Sequence, residues 1–418
     1  MAKFLFFPYA NQLGSTIPSI TLANQMRDQG HEVIYASRGK YTNVLVDKGF
    51  PVLPINEISY HQYRRHIDNN NVDFYEPGLI HHLIDKEIEL IEQVQPDIIV
   101  SNNRPTIKIT AQLMQKKLIS IVIPSLSRHY GHKYYVPENH FLNKILPIDD
   151  VNKVMPEAMV RFAFLATMKH WARNFNKVLK EFQLPAVQDY LDLYEGDITL
   201  INQSYSLFPF KPLPDNYFFL EQNLNSTFGA PHDWAHELEE HRRAGRTVIF
   251  VSMGSSALKS YPLVMNAIKN LVQQNDRFVL VSNHVGLLND GQRPERVYVE
   301  AFINSAQILP LADIVITHGG VNTLSECMTH RKIIIGVPEQ GEQLWNLKYA
   351  EDMGIGKVVS KFKLEKNPRL LTDALQAVVN DPNYHARMES FMQNKLQEAD
   401  LREQRENIAA AISRLLSH

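Results

Sequence analysis

Apolar and polar positions alternate along this chain in blocks whose period switches repeatedly between that of a strand and that of a helix. The run FLFFP (residues 4 to 8) is continuously apolar, as a strand covered on both faces is. After it, Ile17, Ile20, Ala23 and Met26 fall on one helical face, Gly30 supplies a left-handed stop, and EVIYA restarts a β-branched run. This spacing predicts a βαβ unit with a right-handed crossover. PDIIVS (96 to 101), a helix near 105 to 117, ISIVIPS (119 to 125), a helix-rich stretch near 153 to 182 and DITLIN (197 to 202) continue the alternation.

Punctuation then thickens. LFPFKPLPDN (207 to 216) holds three prolines and reads as a semi-rigid linker. Beyond it the alternation restarts with TVIFVSMGSS (247 to 256), FVLVSN, VYVEAF, DIVITHGG, KIIIGVP and GKVVS. The pattern predicts an α/β protein of two doubly wound, Rossmann-like parallel-sheet domains facing a cleft. The expected division is residues 1–206, a linker at 207–216, a second domain at 217–382, and a helical segment at 383–418 that crosses back to the first domain.

Composition narrows the partners. The chain has 418 residues, ample for two cores, and 43 Lys+Arg against 45 Asp+Glu give a net charge of -2, so no global field draws it to nucleic acid. Its one cysteine, Cys327, excludes an internal disulfide and a thiolate zinc site, which suits a cytoplasmic location. The apolar start is too short for a signal-peptide core or a membrane span. His81-His82 and His129-x-x-His132 have no carboxylate at ligand spacing, so no metal is expected. The helical stretch 158–182 interleaves apolar residues with Arg161, Lys169, Arg173, Lys177 and Lys180. It packs on its own domain, lines an apolar acceptor channel or touches a membrane surface.

The densest chemistry is DIVITHGGVNTLSEC (313 to 327): a strand, a His-Gly-Gly turn and a helix start. A helix start offers backbone amides to an anion, and glycine lets a phosphate come close. His318 adds a side-chain donor, and Glu326, one turn beyond Asn322 on the same face, suits ribose hydroxyls. The alternative is a tight strand-to-helix turn and nothing more. The next strand delivers Glu342 and Gln343 to a helix start on the same sheet edge, a pair able to hold vicinal sugar hydroxyls, with Asn346 to anchor the loop.

The run His318-Gly319-Gly320-x-Asn322-Thr323-x-x-Glu326, then Pro338, then Glu342-Gln343-x-x-Asn346, resembles the donor signature of nucleotide-sugar-dependent glycosyltransferases of the GT-B fold. It is most similar to the inverting family that includes antibiotic and plant-product glycosyltransferases. The resemblance implies that His318 and the amides of Gly320, Val321, Asn322 and Thr323 hold a diphosphate, Glu326 the ribose, and Glu342 and Gln343 the donor sugar. It also implies that Gly254 and Ser255 line the phosphate side, that Phe302 stacks on the base, and that Ile303 offers backbone contacts to it. The family's usual proline after that position is Asn304 here. No cofactor is implied beyond a UDP-sugar or dTDP-sugar co-substrate, with a small, aromatic or lipophilic acceptor as partner; tyrosine-rich stretches at 60–75 and 129–135 are candidates to cradle it.

The amino-terminal loop departs from the family. There a histidine, oriented by an aspartate, follows the loop glycine and deprotonates the acceptor; here Ser15 follows Gly14, and the aspartate position is Asn102. Ser15 is then an inert helix cap, a group that positions acceptor or donor phosphate, or a mark of lost transferase activity. His129, beyond the strand ISIVIPS, is a candidate substitute base. Besides glycosyl transfer, a nucleotide-sugar epimerase and a non-catalytic sugar-nucleotide-binding helper remain open.

Overall fold

The structure is a computed structural model that describes residues 1–68, 72, 74–137, 151–152, 154–203, 207–221, 231–254, 257, 260–283, 295–397 and 401–417. The chain divides into two compact units, residues 1–222 with 399–418, and residues 223–398.

The first unit is built on a seven-stranded sheet, β1 (Lys3–Pro8), β2 (Glu32–Ala36), β3 (Val52–Leu53), β4 (Ile98–Asn102), β5 (Lys117–Val122), β6 (Ile198–Asn202) and β7 (Tyr217–Leu220), in the order β3-β2-β1-β4-β5-β6-β7. Every pairing is parallel, so each connection must cross over a face of the sheet, most of them as helices. α1 (Leu13–Asp28) links β1 to β2; α2 (Tyr60–Asp68) and α3 (Pro77–Val94) precede β4; α4 (Glu157–Trp171) and α5 (Arg173–Glu181) precede β6. Leu90 and Ile91 of α3 pack with Leu5, Phe7, Ile99 and Leu118, which is why these strands read as unbroken apolar runs.

The second unit holds β8 (Thr247–Ser252), β9 (Phe278–Ser282), β10 (Val297–Val299), β11 (Ile314–Thr317), β12 (Ile333–Gly336) and β13 (Gly356–Val358), in the order β10-β9-β8-β11-β12-β13. Its pairings are again all parallel. α6 (Ser260–Gln274) follows β8, α7 (Ser305–Ile308) follows β10, α8 (Val321–Thr329) follows β11, and α9 (Gly341–Asp352) follows β12. α10 (Asn383–Gln397) ends this unit, and α11 (Leu401–Ser417) packs against β7 of the first.

Two boundaries differ from expectation. Residues 207–216 do not separate the units: they connect β6 to β7, and β7 is the last strand of the first sheet. The prolines deny that crossover a helix, and it lies instead along residues 129–131, with Gly131 N donating to Pro209 O at 2.8 Å and Lys211 N to His129 O at 2.8 Å. The helical tail also splits, because α10 belongs with the second unit and only α11 returns.

Strand order reverses once in each sheet, between β1 and β4 and between β8 and β11. The carboxyl ends flanking such a reversal diverge and leave a crevice. Ser15 and Asn102 lie by the first of these points and Gly254, His318 and Gly320 by the second; Phe302 follows β10 and Glu342 follows β12, farther along the second sheet.

Candidate functional site

In the second unit β11 ends at buried Thr317, paired with Ser252 of β8 on one side and Gly336 of β12 on the other. Gly319 then turns the chain with φ of 92°, a left-handed conformation that favours glycine, and Gly320 caps α8. Gly320 has no side chain with which to satisfy the first-turn amides of Val321, Asn322 and Thr323, and no acidic residue occupies that turn. The first turn of α8 therefore has neither a side-chain cap nor an acidic residue to offset the positive end of the helix dipole.

His318 is 7% exposed and lies against two glycine backbones. A Cβ at Gly254 would fall 2.5 Å from its Cε1, and one at Gly320 would fall 2.9 Å from its Nε2. Gly254 also has φ of 62°. The turn after β8 is thus glycine because the imidazole needs the space, a link that sequence spacing alone does not reveal. Ser255 lies outside the described residues.

Glu326 sits one turn deeper on α8 and is half-buried; burial pushes its carboxyl up to about 7, opposed by a hydrogen bond from the Ser305 side chain. Ser305 opens α7, directly after Phe302 to Asn304, so the proposed ribose and base positions are neighbours. Phe302 is 47% exposed, whereas Ile303 is buried. Asn304 explains the missing proline: its N–H donates to His232 Nε2 at 3.0 Å and its side chain accepts from Gln307 N at 3.4 Å. Proline has no N–H to give.

Glu342 and Gln343 lie in the first turn of α9. Burial pushes the Glu342 carboxyl up to about 7, opposed by Asn346, whose Nδ2 donates to Glu342 Oε1 at 2.5 Å and to Gly319 O at 3.1 Å. Asn346 therefore joins α9 to the His-Gly-Gly turn, and its buried Oδ1 has no hydrogen-bond partner among the described residues. Gln343 Oε1 accepts from Glu339 N at 2.9 Å, which ties the start of α9 back to the end of the preceding loop.

Glu339 is a residue that sequence reasoning missed, although a carboxylate directly after the apolar strand KIIIGVP was a signal. It accepts from Ser260 N at 2.8 Å, from Ser260 Oγ at 2.6 Å and from Lys361 Nζ at 3.2 Å. Burial pushes its carboxyl up, but Ser260 and Lys361 outweigh that and the net shift is downward. An internal carboxylate thus occupies the start of α6, whereas the first turn of α8 carries no acidic side chain.

The raised carboxyls have a consequence in solution. With the folded pKa near 7 and the unfolded value near 4.5, protonated Glu326 and Glu342 favour the unliganded fold, and that stabilisation is lost as pH rises from about 4.5 through about 7. A ligand hydroxyl that donates to either carboxyl would favour its ionised form. Binding of a nucleotide sugar is accordingly expected to tighten by about 3- to 10-fold between pH 6 and pH 8, while the melting temperature of the unliganded protein falls. Calorimetry at the two pH values checks this, with Glu326→Gln and Glu342→Gln each expected to flatten the profile.

In the first unit, α1 begins at Leu13 with Gln12 as its N-cap, and Ser15 is buried inside the first turn. Ser15 is therefore not the helix cap. Asn102, at the end of β4 opposite Pro8, donates its Nδ2 to Ser15 O at 2.7 Å, and Asn103 Nδ2 donates to Ser15 Oγ at 3.4 Å. The two positions of the expected dyad are brought together, through the serine's backbone. Gly14 has neither a positive φ nor any atom within 4 Å of a built Cβ, so the fold itself does not require glycine there.

His129 is placed elsewhere. After β5 the chain turns at Pro124–Leu126 and doubles back; the His129 ring meets Tyr217 edge-on at 5.0 Å, and neighbouring Arg128 pairs with Asp189, Asp192 and Glu195. Those partners lie where β6 and β7 begin, whereas Ser15 and Asn102 lie where β1 and β4 end. The tyrosine-rich stretches separate in the same way. Tyr63 packs on Tyr9, beside the amino-terminal loop, at 4.8 Å, and Phe74 and Tyr75 extend that aromatic band. Tyr134 instead stacks on Phe164 of α4 at 4.0 Å.

Among the described residues no group of three or more His, Cys, Asp or Glu is arranged to hold a metal ion, and no helix is long and apolar enough to cross a membrane.

Residues 248–404 match the glycosyltransferase family 28 C-terminal domain. Over 381 residues, 90% of this chain and 84% of the relative, the sequence is 22% identical to a PGL/p-HBAD biosynthesis glycosyltransferase of Mycobacterium tuberculosis (strain ATCC 25177 / H37Ra). A relative from Mycobacterium bovis (strain BCG / Pasteur 1173P2), 23% identical over 66% of this chain and 73% of its own length, is described as an inactive PGL/p-HBAD biosynthesis glycosyltransferase. Among solved structures, spinosyn rhamnosyltransferase SpnG covers 100% of both chains with a TM-score of 0.68 at 13% identity, and it has also been solved with thymidine diphosphate and with spinosyn aglycone. The chain has the GT-B fold.

Proposed function

We infer that this chain, of GT-B fold with a glycosyltransferase family 28 C-terminal domain in its second unit, transfers a sugar from a UDP-sugar or dTDP-sugar to a small aromatic or lipophilic acceptor, with inversion. The observation that carries the reading is His318, seated against Gly254 and Gly320 at the open start of α8, with Glu326 toward Phe302 and Glu342 on the adjoining helix. A diphosphate leaving group is neutralised there by backbone amides, the helix dipole and the imidazole, with no metal. Glu326 accepts from the ribose, Glu342 and Gln343 hold the sugar, and Phe302 stacks on the base. SpnG, whose structures contain a nucleoside diphosphate and an aglycone, supports the two substrate classes.

On the acceptor side Ser15 and Asn102 supply shape and hydrogen bonds, and neither side chain can act as a base near neutral pH. An acceptor acidic enough to attack with little assistance, such as a phenol or carboxylate, fits this loop. The aromatic band of Tyr9, Tyr63 and Phe74 suits an aromatic ring. A nucleotide-sugar panel with product analysis tests the reading: a new glycoside is expected. An isomerised nucleotide sugar would assign an epimerase, and binding without turnover would assign a helper, the state suggested by the inactive relative.

Gly14 gives a sharper test. Because a methyl group there meets nothing, Gly14→Ala is expected to leave stability unchanged or raise it by up to about 1 kcal/mol, the helix-propensity gain. If substrate approaches this backbone closely, turnover nevertheless falls about 10-fold or more. Thermal melts and steady-state rates on the one variant separate the two effects, and unchanged turnover would remove Gly14 from the substrate site.

A further inference from the structure

We propose that the outer face of α4 and α5 is a docking surface for an anionic lipid bilayer. Four of the ten exposed large hydrophobic side chains among the described residues fall between positions 154 and 165: Val154, Met159, Phe162 and Leu165. Phe162 is 74% exposed, although the same helix turns Val160, Phe164 and Met168 inward to its own core. Exposed apolar side chains scattered singly are ordinary; Met159, Phe162 and Leu165 instead share one face of α4, with Val154 just before its start, and such a group marks an interaction surface.

Charge selects the occupant. Immediately after this apolar turn, at a spacing of four and then three residues, come Lys169, Arg173, Lys177 and Lys180, all exposed. Across α4 and α5 there are five Lys and Arg against two carboxylates, on a chain whose net charge is -2. The two carboxylates lie at the outer ends, Glu157 at the start and Glu181 at the finish, where His81 holds it at 2.6 Å. An apolar patch able to enter the acyl boundary, continued by a row of cations able to meet phosphate headgroups, supplies the two contributions to interfacial binding, buried apolar area and attraction to anionic lipid. A purely apolar partner groove would leave that row of cations unmatched.

This inference is independent of the transferase reading, and its readout is binding. In co-sedimentation with phosphatidylcholine–phosphatidylglycerol vesicles, the full chain is expected to partition at least about 10-fold more strongly than with phosphatidylcholine vesicles, and high salt should erase the difference. Phe162→Ser and the pair Lys169→Glu/Arg173→Glu are each expected to reduce partitioning about 10-fold or more. These side chains are exposed, so circular dichroism and melting temperature should stay unchanged. Three outcomes would overturn the proposal: wild type left in the supernatant with anionic vesicles, partitioning indifferent to the charge reversal, or a lipid-free dimer that Phe162→Ser converts to monomer. The last would assign the face to a second copy of this chain.

Discussion

Substituting His318 with alanine is expected to weaken nucleoside diphosphate binding by about 1.5–3 kcal/mol, or roughly 10- to 150-fold, the range for a hydrogen bond to a charged group. Its placement adds a second arm. A methyl group at Gly254 would sit 2.5 Å from the imidazole Cε1, on a backbone with φ of 62°, so Gly254→Ala must displace the ring or the turn. Gly254→Ala is therefore expected to lose about as much affinity as His318→Ala, and the double variant little more than either alone, because both remove the same interaction. Calorimetry with UDP and dTDP on the three variants measures this. Additive losses would mean that Gly254 acts on the ligand independently of His318, and equal affinity of wild type and His318→Ala would remove the histidine from the site.

The second large effect is expected at Ser15 and Asn102, where restoring the family's acid–base pair should do harm. Asn102 Nδ2 donates to Ser15 O at 2.7 Å within a buried setting. Asn102→Asp replaces that donor by a carboxylate facing a carbonyl oxygen, leaving both acceptors unsatisfied. A loss of about 1–3 kcal/mol in stability is expected, read as a lower melting temperature that recovers partly at acidic pH, when the carboxyl can donate. Ser15→Ala keeps the backbone carbonyl and should fold normally, losing about 10- to 100-fold in turnover for one or two hydrogen bonds. Complete loss of turnover in Ser15→Ala, with donor affinity intact, would make the hydroxyl essential to the chemistry. Activity that appears only in Ser15→His/Asn102→Asp would mean that the natural chain is a sugar-nucleotide-binding helper.

Much of this molecule is legible in one dimension because its strands are buried on both faces and its helices on one. Apolar runs such as FLFFP and KIIIGVP announce strands, and the helix-period face from Ile17 to Met26 announces α1. The His-Gly-Gly turn, Glu326, Glu342 and Asn346 are equally legible, since each is placed by a strand end or helix start that local spacing already locates. Unit boundaries are less so. YFFL at the start of the predicted second domain is a short apolar run that pairs with either sheet as far as the sequence is concerned, and only its parallel register with β6 assigns it to the first.

By itself, then, the sequence determined two parallel α/β units, a His-Gly-Gly turn into a helix start with carboxylates near it, and an amino-terminal loop without a base. Tertiary structure decided the rest: that Gly254 exists to admit His318, that Glu339 fills the start of α6, that Asn102 reaches the backbone of Ser15, and that His129 is carried away toward Tyr217. Each of these joins residues far apart in the chain across strand order or a chain reversal. Periodicity and caps act over a few residues, whereas a close approach between distant backbones is fixed only when the whole sheet assembles.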